Sequence, residues 1–186
     1  PPFFALMVNE VARHTNDKSL YAKYLASVEW EYNFWMDYNG NGEIIPTANR
    51  RAVEIEPGVL MNRYWDDTNT PRQESYLEDV TLAKSSTREP EDLYRDIRAA
   101  CESGWDFSAR WFEDPDDPST INTTSLLPVD LNCLLWSMEH FLAKCYETDI
   151  GNPKALYYIE HAERRKELIK KYFWHAQAKL FRDFNF

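Results

Sequence analysis

Residues 103–111 read SGWDFSARW, and the interpretation of the whole chain starts from this stretch. A single carboxylate, Asp106, lies between two aromatic residues, and Gly104 gives the backbone before it additional conformational freedom. Aromatic walls exclude water from a carboxyl group and disfavour its ionised form, so Asp106 could keep its proton near neutral pH. A neutral carboxylic acid can protonate the leaving oxygen of a sugar. The alternative is a surface loop whose aromatic residues fold back into the core and whose aspartate caps a helix.

Three further motifs accompany this stretch in the sequence. The chain opens with PPFFALMV at residues 1–8, continues with one motif in two parts, NRYWDD at 62–67 and TPRQESY at 70–76, and reaches LPVDLN at 127–132. In this order the four motifs resemble those of the inverting trehalases. The resemblance covers the whole chain but only part of such an enzyme. It therefore implies that residues 1–186 are a central fragment of a trehalase catalytic domain.

The resemblance implies roles for four residues. Asp106 matches the general acid, Gly104 matches a substrate-binding glycine, and Arg72 with Glu74 matches an Arg-x-Glu pair that binds substrate hydroxyls. The fixed fork of donors on an arginine and the paired acceptors of a glutamate suit vicinal hydroxyl groups. Without the family, an exposed salt bridge at a helix start explains the Arg-x-Glu pair equally well. A helix stop after Ser103 is a second role for Gly104 that is compatible with the first.

The reaction implied by the resemblance is hydrolysis of α,α-trehalose to two glucose molecules with inversion, without a metal or other cofactor. Inversion requires a second carboxylate roughly 6.5–9.5 Å from the acid. In the family this base lies well downstream of the PVDLN motif, in a segment that this sequence does not reach. Glu74 is the one carboxylate here that could take its place, so we expect the isolated chain to be inactive or nearly so.

Two interpretations from other functional classes remain open, together with one neighbouring enzyme. The chain could be a non-catalytic sugar-binding fragment, which would bind trehalose or glucose through Arg72 and Glu74 without turnover. It could instead be a helical scaffold without a sugar site, which would be indifferent to changes at Asp106 and Arg72. A glucosidase or glucoamylase-like enzyme on the same fold is the nearest alternative, and the four ordered motifs argue against it.

Apolar residues recur at helical spacing through most of the chain. In the first helix they are expected to form one face, made of Phe3, Phe4, Met7, Val8 and Val11. A β-hairpin is expected from Arg51–Glu56 and Val59–Tyr64, joined at Pro57-Gly58, and a surface loop over residues 114–124. The second helix should stop at Asn39–Gly42. The expected helices are 1–13, a segment from the Asn16 or Asp17 cap to about Tyr38, Glu74–Ser85, Pro90 to Gly104, Leu131 to about Glu147, and Pro153 to about His175.

The residues alone predict a mainly α protein built from paired helices. The resemblance implies more, namely about half of an (α/α) toroid of six helical hairpins, with one small β-hairpin. Half a toroid leaves the inner faces of its helices without partners. The remaining segments of the same enzyme are therefore an expected partner. Within the motifs, Trp65 is expected to pack the hairpin against a helix, and Asn132 could face the pocket.

Composition narrows the range of partners. Lys plus Arg number 21 against 31 Asp plus Glu, and the net charge of −10 argues against nucleic acid. No apolar run is long enough for a membrane span, and a small sugar is the expected ligand. The one basic cluster, residues 164–171, is interpreted as a solvated helix face. Cys101, Cys133 and Cys145 are interpreted as buried thiols, which favours a cytoplasmic over a periplasmic location.

Overall fold

The computed structural model describes residues 1–38, 49–147 and 151–186. The predicted class, mainly α with a small β-hairpin, is confirmed, and six α-helices in the described residues match the number in half of a six-hairpin toroid. The expected helix stop at Asn39–Gly42 lies outside the described residues. The helices are α1 (Phe4–Thr15), α2 (Ser19–Trp35), α3 (Tyr76–Ser85), α4 (Pro90–Ser103), α5 (Val129–Tyr146) and α6 (Pro153–Phe173). The strands are β1 (Ala52–Glu56), β2 (Val59–Asn62), β3 (Leu126–Leu127), β4 (Trp174–His175), β5 (Leu180–Phe181) and β6 (Phe184–Asn185).

The chain forms two compact units, and the first contains Asn49–Pro128 together with both extreme ends of the chain. In this unit β1 and β2 form the predicted antiparallel hairpin, with Ala52 opposite Asn62. Gly58 turns the chain at a φ of 73°, which a residue without a Cβ adopts at no steric cost. Helices α3 and α4 pack against each other, and α4 buries Leu93 and Ile97, which are one helical turn apart. The hairpin contributes buried residues of its own, Val53 and Met61.

Helix α4 begins and ends where local sequence signals predict. Pro90 occupies the first helical position, and Gly104 adopts the left-handed conformation that terminates the helix. Helix α3 begins at Tyr76, two residues later than expected. The reason is that the backbone N–H of Arg72 donates to the carboxylate of Asp79 at 2.8 Å, which turns the preceding segment back onto the helix. Glu74 consequently lies in the turn before α3.

The second unit contains α1, α2, α5, α6 and the short strands β4 and β5. Helix α1 packs on α2 and α5 through Ala5, Val8 and Ala12, which are buried. The apolar face expected at Phe3, Phe4, Met7, Val8 and Val11 is therefore wrong in part, since Phe3, Met7 and Val11 are exposed. These three exposed residues form a line along α1 beside the buried line of Ala5, Val8 and Ala12. Residues three or four positions apart lie on the same side of a helix, so this spacing is compatible with either line as the buried face.

Helix α5 carries the PVDLN motif and is fixed at its start by a residue far along the chain. The backbone N–H of Val129 donates to the Asp183 carboxylate at 2.9 Å. Helix α6 ends at Phe173, slightly earlier than expected, because the chain turns into an antiparallel ladder in which Trp174 pairs with Phe181. This second ladder was not predicted from the sequence.

Candidate functional site

Arg72, one of the four predicted site residues, contacts both the thiol of Cys101 on α4 and the ring of Phe107 in the SGWDFSARW motif. Arg72 donates through Nη1 to Cys101 Sγ at 3.5 Å. Burial raises the pKa of the Cys101 thiol, Arg72 lowers it, and the negative charges of Asp106 and Glu74 raise it further. Residues from the TPRQESY and SGWDFSARW motifs therefore meet at one place. In the sequence, Cys101 follows Leu93 and Ile97 at intervals of four residues, and this spacing indicates packing rather than a site.

Arg72 is held by a carboxylate that the sequence analysis missed. Its Nε and Nη2 atoms donate to the two oxygens of Asp79 at 3.1 and 2.6 Å. These hydrogen bonds raise the pKa of the guanidinium above its usual value. The ring of Phe107 lies 4.5 Å from the guanidinium carbon. The ion pair of Arg72 is thus with Asp79, whereas Glu74 is exposed in the preceding turn.

The segment from Ser103 to Asp106 has an unusual backbone. Gly104 has a φ of 74°, and Asp106, which carries a Cβ, has a φ of 47°. The hydroxyl of Ser103 accepts from the N–H of Trp105 at 3.0 Å and donates to the carbonyl of Ala100. A non-glycine residue in this conformation costs energy and is found preferentially at functional sites. A Cβ built on Gly104 would meet no atom within 4 Å, so the space beside this glycine is open.

The aromatic residues of the SGWDFSARW motif do not enclose Asp106. Asp106 is exposed, and Trp105 and Phe107 are themselves 55% and 43% exposed. The alternative, in which the aromatic residues fold into the core, holds only for Trp111, which is fully buried. Trp105 instead lies 5.0 Å from the guanidinium of Arg110. The motif therefore leaves a carboxylate and two aromatic rings accessible to solvent.

A pocket of about 410 Å³ opens beside the Arg72–Asp79 pair. It lies entirely within the first unit, and its wall is mostly apolar. The loop 114–124 was expected to be a surface loop, yet Ile121 is buried and lines this pocket. Asp96 on α4 holds the end of the loop, because its carboxylate accepts from the N–H of Thr124 at 2.7 Å. The lining includes Arg72, Ser75, Asp79, Ile97, Phe107 and Ile121.

The NRYWDD motif belongs to the framework of the first unit. Arg63 donates to three backbone carbonyls, those of Asn49, Arg50 and Thr124. Trp65 lies between the guanidinium groups of Arg63 and Arg95, at 4.3 and 4.4 Å. Since Arg95 is on α4, the expectation that Trp65 packs the hairpin against a helix is confirmed.

The PVDLN motif enters a buried polar network in the second unit. Asn132 is fully buried and accepts a hydrogen bond from Arg165 at 3.2 Å, so the expectation that it faces a pocket is wrong. Arg165 also donates to Glu139 at 2.9 Å, and the hydroxyl of Tyr32 donates to the same oxygen at 3.0 Å. The interpretation of residues 164–171 as a solvated face fails at Arg165, because a buried carboxylate attracts its guanidinium into the helical core.

The cysteines differ in exposure. Cys145 is buried, Cys101 is intermediate and Cys133 is exposed, so the expectation of three buried thiols holds fully only for Cys145. Burial raises the pKa of Cys145 to about 11. In the part of the chain that the structure describes, no group of three or more His, Cys, Asp or Glu residues is arranged to hold a metal ion. None of the described helices is both long and apolar enough to cross a membrane.

Comparison with known proteins gives one family over the whole chain. The Trehalase family model matches residues 1–186. The chain is 43% identical over 187 residues to the periplasmic trehalase of Citrobacter koseri, covering 100% of this chain and 32% of that protein. It is also 43% identical over 186 residues to the periplasmic trehalases of Escherichia coli O9:H4 (strain HS) and Escherichia coli (strain K12 / DH10B), covering 100% of this chain and 33% of each. The chain thus spans about a third of the length of the curated relatives it matches.

The relatives also correct the expected location. The preference for the cytoplasm is wrong, because these relatives are named periplasmic trehalases, which points to the periplasm. The preference depended on three cysteines outside any disulfide. Cysteines that have no second cysteine nearby cannot form a disulfide within the chain even in an oxidising compartment. The absence of a disulfide among the described cysteines therefore does not identify the compartment.

Proposed function

The chain belongs to the trehalase family, and we propose that the protein hydrolyses α,α-trehalose to two molecules of glucose. The observation that carries the proposal is the contact of Arg72 with Cys101 and with the ring of Phe107, which brings the segments of Glu74 and Asp106 together. Binding a sugar requires hydrogen-bond donors and acceptors for its hydroxyl groups, which Arg72 and Glu74 provide. Breaking its glycosidic bond requires an acid, for which Asp106 is the candidate. Full-length coverage by the family model and the names of the relatives support the same substrate.

In this proposal Asp106 is the general acid. Its carboxyl group would protonate the oxygen that leaves when the bond between the two glucose units breaks. Arg72 would donate to substrate hydroxyls, and Glu74 would accept from them, since its carboxylate is exposed. Gly104 would let the sugar approach the backbone, and the open space beside it supports this role.

The proposed reaction inverts the anomeric carbon, so a second carboxylate must activate water on the opposite side of the sugar. The resemblance assigns this base to a segment beyond these residues. We therefore infer that residues 1–186 are a partial catalytic toroid domain that supplies the acid side of the site. By itself the 186-residue chain should bind trehalose and hydrolyse it slowly or not at all.

The test is calorimetry of the chain with trehalose, run beside a glucose-release assay. We expect binding without turnover, and we expect Arg72→Ala to weaken binding by about tenfold or more while leaving it measurable. Asp116→Asn is a matched control, because Asp116 is an exposed acid in a loop of the same unit. Lack of binding by a folded chain would overturn the proposed sugar site. A hydrolysis rate within tenfold of an intact trehalase would overturn the inactivity of the chain and make Glu74→Gln the next variant.

A further inference from the structure

We propose that Asp79 is a positioning residue that fixes the Arg72 guanidinium for contact with the sugar. The inference rests on the proposed function and adds to it a residue that no motif of the resemblance assigns. Asp79 lies on α3 and is 2% exposed. It accepts three hydrogen bonds from Arg72, two from the side chain and one from the backbone N–H. One buried carboxylate therefore fixes both the backbone and the side chain of the same arginine.

The contacts of Arg72 leave one edge of its guanidinium for a ligand. Asp79 occupies the edge formed by Nε and Nη2, and Phe107 lies against the planar group. The remaining contact is from Nη1 to the sulfur of Cys101, which is a weak acceptor. A sugar hydroxyl is a stronger acceptor and would replace it at little cost. This edge contacts Cys101 on α4, three residues before the left-handed turn at Gly104.

A second ion pair in the same unit, between a buried aspartate and a half-buried arginine, serves as a structural comparison. Asp96 on α4 is 1% exposed and forms an ion pair with Arg88. The two Nη atoms of Arg88 contact Asp96 and the carbonyl of Ile121, and the other Asp96 oxygen accepts from the N–H of Thr124. These strong contacts tie the loop 114–124 to α4. Arg72 differs because, among the described residues, the acceptor of its Nη1 atom is a thiol.

Preorganisation is the physical reason for the proposed role. An arginine in solution must lose rotamer freedom when it binds a ligand, and that loss weakens binding. Asp79 imposes the conformation of Arg72 before the sugar arrives, so the loss has already occurred on folding. Removing the negative charge of Asp79 should let the guanidinium move and should reduce affinity even if Arg72 itself is retained.

The experiment compares Asp79→Asn with its matched control Asp96→Asn in the full chain. Each variant is first shown to be folded by circular dichroism, and trehalose affinity is then measured below the unfolding transition. We expect both variants to lose stability. Only Asp79→Asn should lose affinity, by about tenfold or more, as expected for a displaced binding group. Asp79→Glu should recover part of the loss, because the pocket beside Asp79 has space for an extra methylene.

A double-mutant cycle with Arg72→Ala separates positioning from a general structural effect. If Asp79 acts through Arg72, then Asp79→Asn should cause no further loss of affinity once Arg72 is alanine. The inference is overturned if Asp79→Asn binds like the wild type while Arg72→Ala does not, or if Asp96→Asn loses as much affinity as Asp79→Asn. Absence of binding by the folded wild-type chain would instead overturn the proposed function, and this inference with it.

Discussion

Replacement of Arg165 by methionine tests the buried network of the second unit. Arg165 and Glu139 are 5% and 1% exposed, and they pair at 2.9 Å. Methionine fills a similar volume without a charge, so Arg165→Met removes the cation and leaves the carboxylate in place. Within the described part of the chain, Glu139 would then keep the hydrogen bond from the hydroxyl of Tyr32 and lose the one from Arg165. Its second oxygen is buried without a hydrogen-bond partner among the described residues.

The expected loss of stability follows from the burial of both Arg165 and Glu139. Breaking a buried ion pair by removing one partner costs about 3–5 kcal/mol, because the remaining charge is uncompensated. For a chain of this length that corresponds to a fall of about 10 °C in the midpoint of thermal unfolding. The double variant Glu139→Leu/Arg165→Met leaves neither charge buried. It should therefore be within about 1–2 kcal/mol of the wild type, with the residual cost arising from the lost partners of Asn132 and Tyr32.

The assay is urea and thermal unfolding followed by circular dichroism at 222 nm, a helix signal. Lys166→Met is the matched control on the same helix, since Lys166 forms an exposed pair with Glu163 and its loss should not shift the midpoint detectably. The reasoning is refuted if Arg165→Met is as stable as the wild type. It is also refuted if the double variant loses the sum of the two single losses, because then no coupling exists between the charges.

Three further predictions concern the candidate site and the start of α5. Asp106 has a φ of 47°, a conformation that asparagine tolerates and a β-branched residue does not. In urea unfolding, Asp106→Val should therefore lose about 1–2 kcal/mol of stability and Asp106→Asn much less. Equal losses in the two variants would contradict strain at this position. Burial raises the pKa of the Cys101 thiol, so little thiolate is present at neutral pH and alkylation by iodoacetamide should accelerate as the pH rises. Mass spectrometry should show that trehalose protects Cys101 but leaves the exposed Cys133 reactive, and equal protection would argue against sugar at Arg72. Asp183→Ala should destabilise the second unit by about 1 kcal/mol, because the backbone N–H of Val129 loses its acceptor. An unchanged midpoint of thermal unfolding would contradict this role of Asp183.

Local signals account for the parts of the fold that were predicted correctly. Pro90 and Gly104 delimit α4 through properties of single residues, a fixed φ and a tolerated positive φ, so neighbouring sequence is sufficient. The β-hairpin is similar, because Gly58 sets its turn. The apolar face of α1 was less well predicted, because two parallel stripes satisfy the same spacing and only packing on α2 and α5 selects one.

Pairings between charges were not predictable in the same way. Arg72 pairs with Asp79, seven positions away, because the segment before α3 turns back, and no spacing rule favours this acid over Glu74. Arg165 lies within a basic stretch whose other members have exposed side chains or partners on the same helix, as Lys166 has. Its burial depends on Glu139, which is on a different helix. A sequence shows the charge of each side chain, whereas its partner is set by the tertiary fold.

The same distinction bears on the proposed acid. The residues of this chain fix the backbone at Asp106, through the hydrogen bonds of Ser103 and the left-handed turn at Gly104. They do not remove its carboxylate from water, since the rings beside it are turned toward other cations or toward solvent. General acid catalysis requires a proton-bearing group within hydrogen-bond reach of the leaving oxygen in the substrate complex. A bound sugar stacked against Trp105 and Phe107 would itself exclude water from Asp106, so the environment of the acid would be completed by the substrate that it protonates.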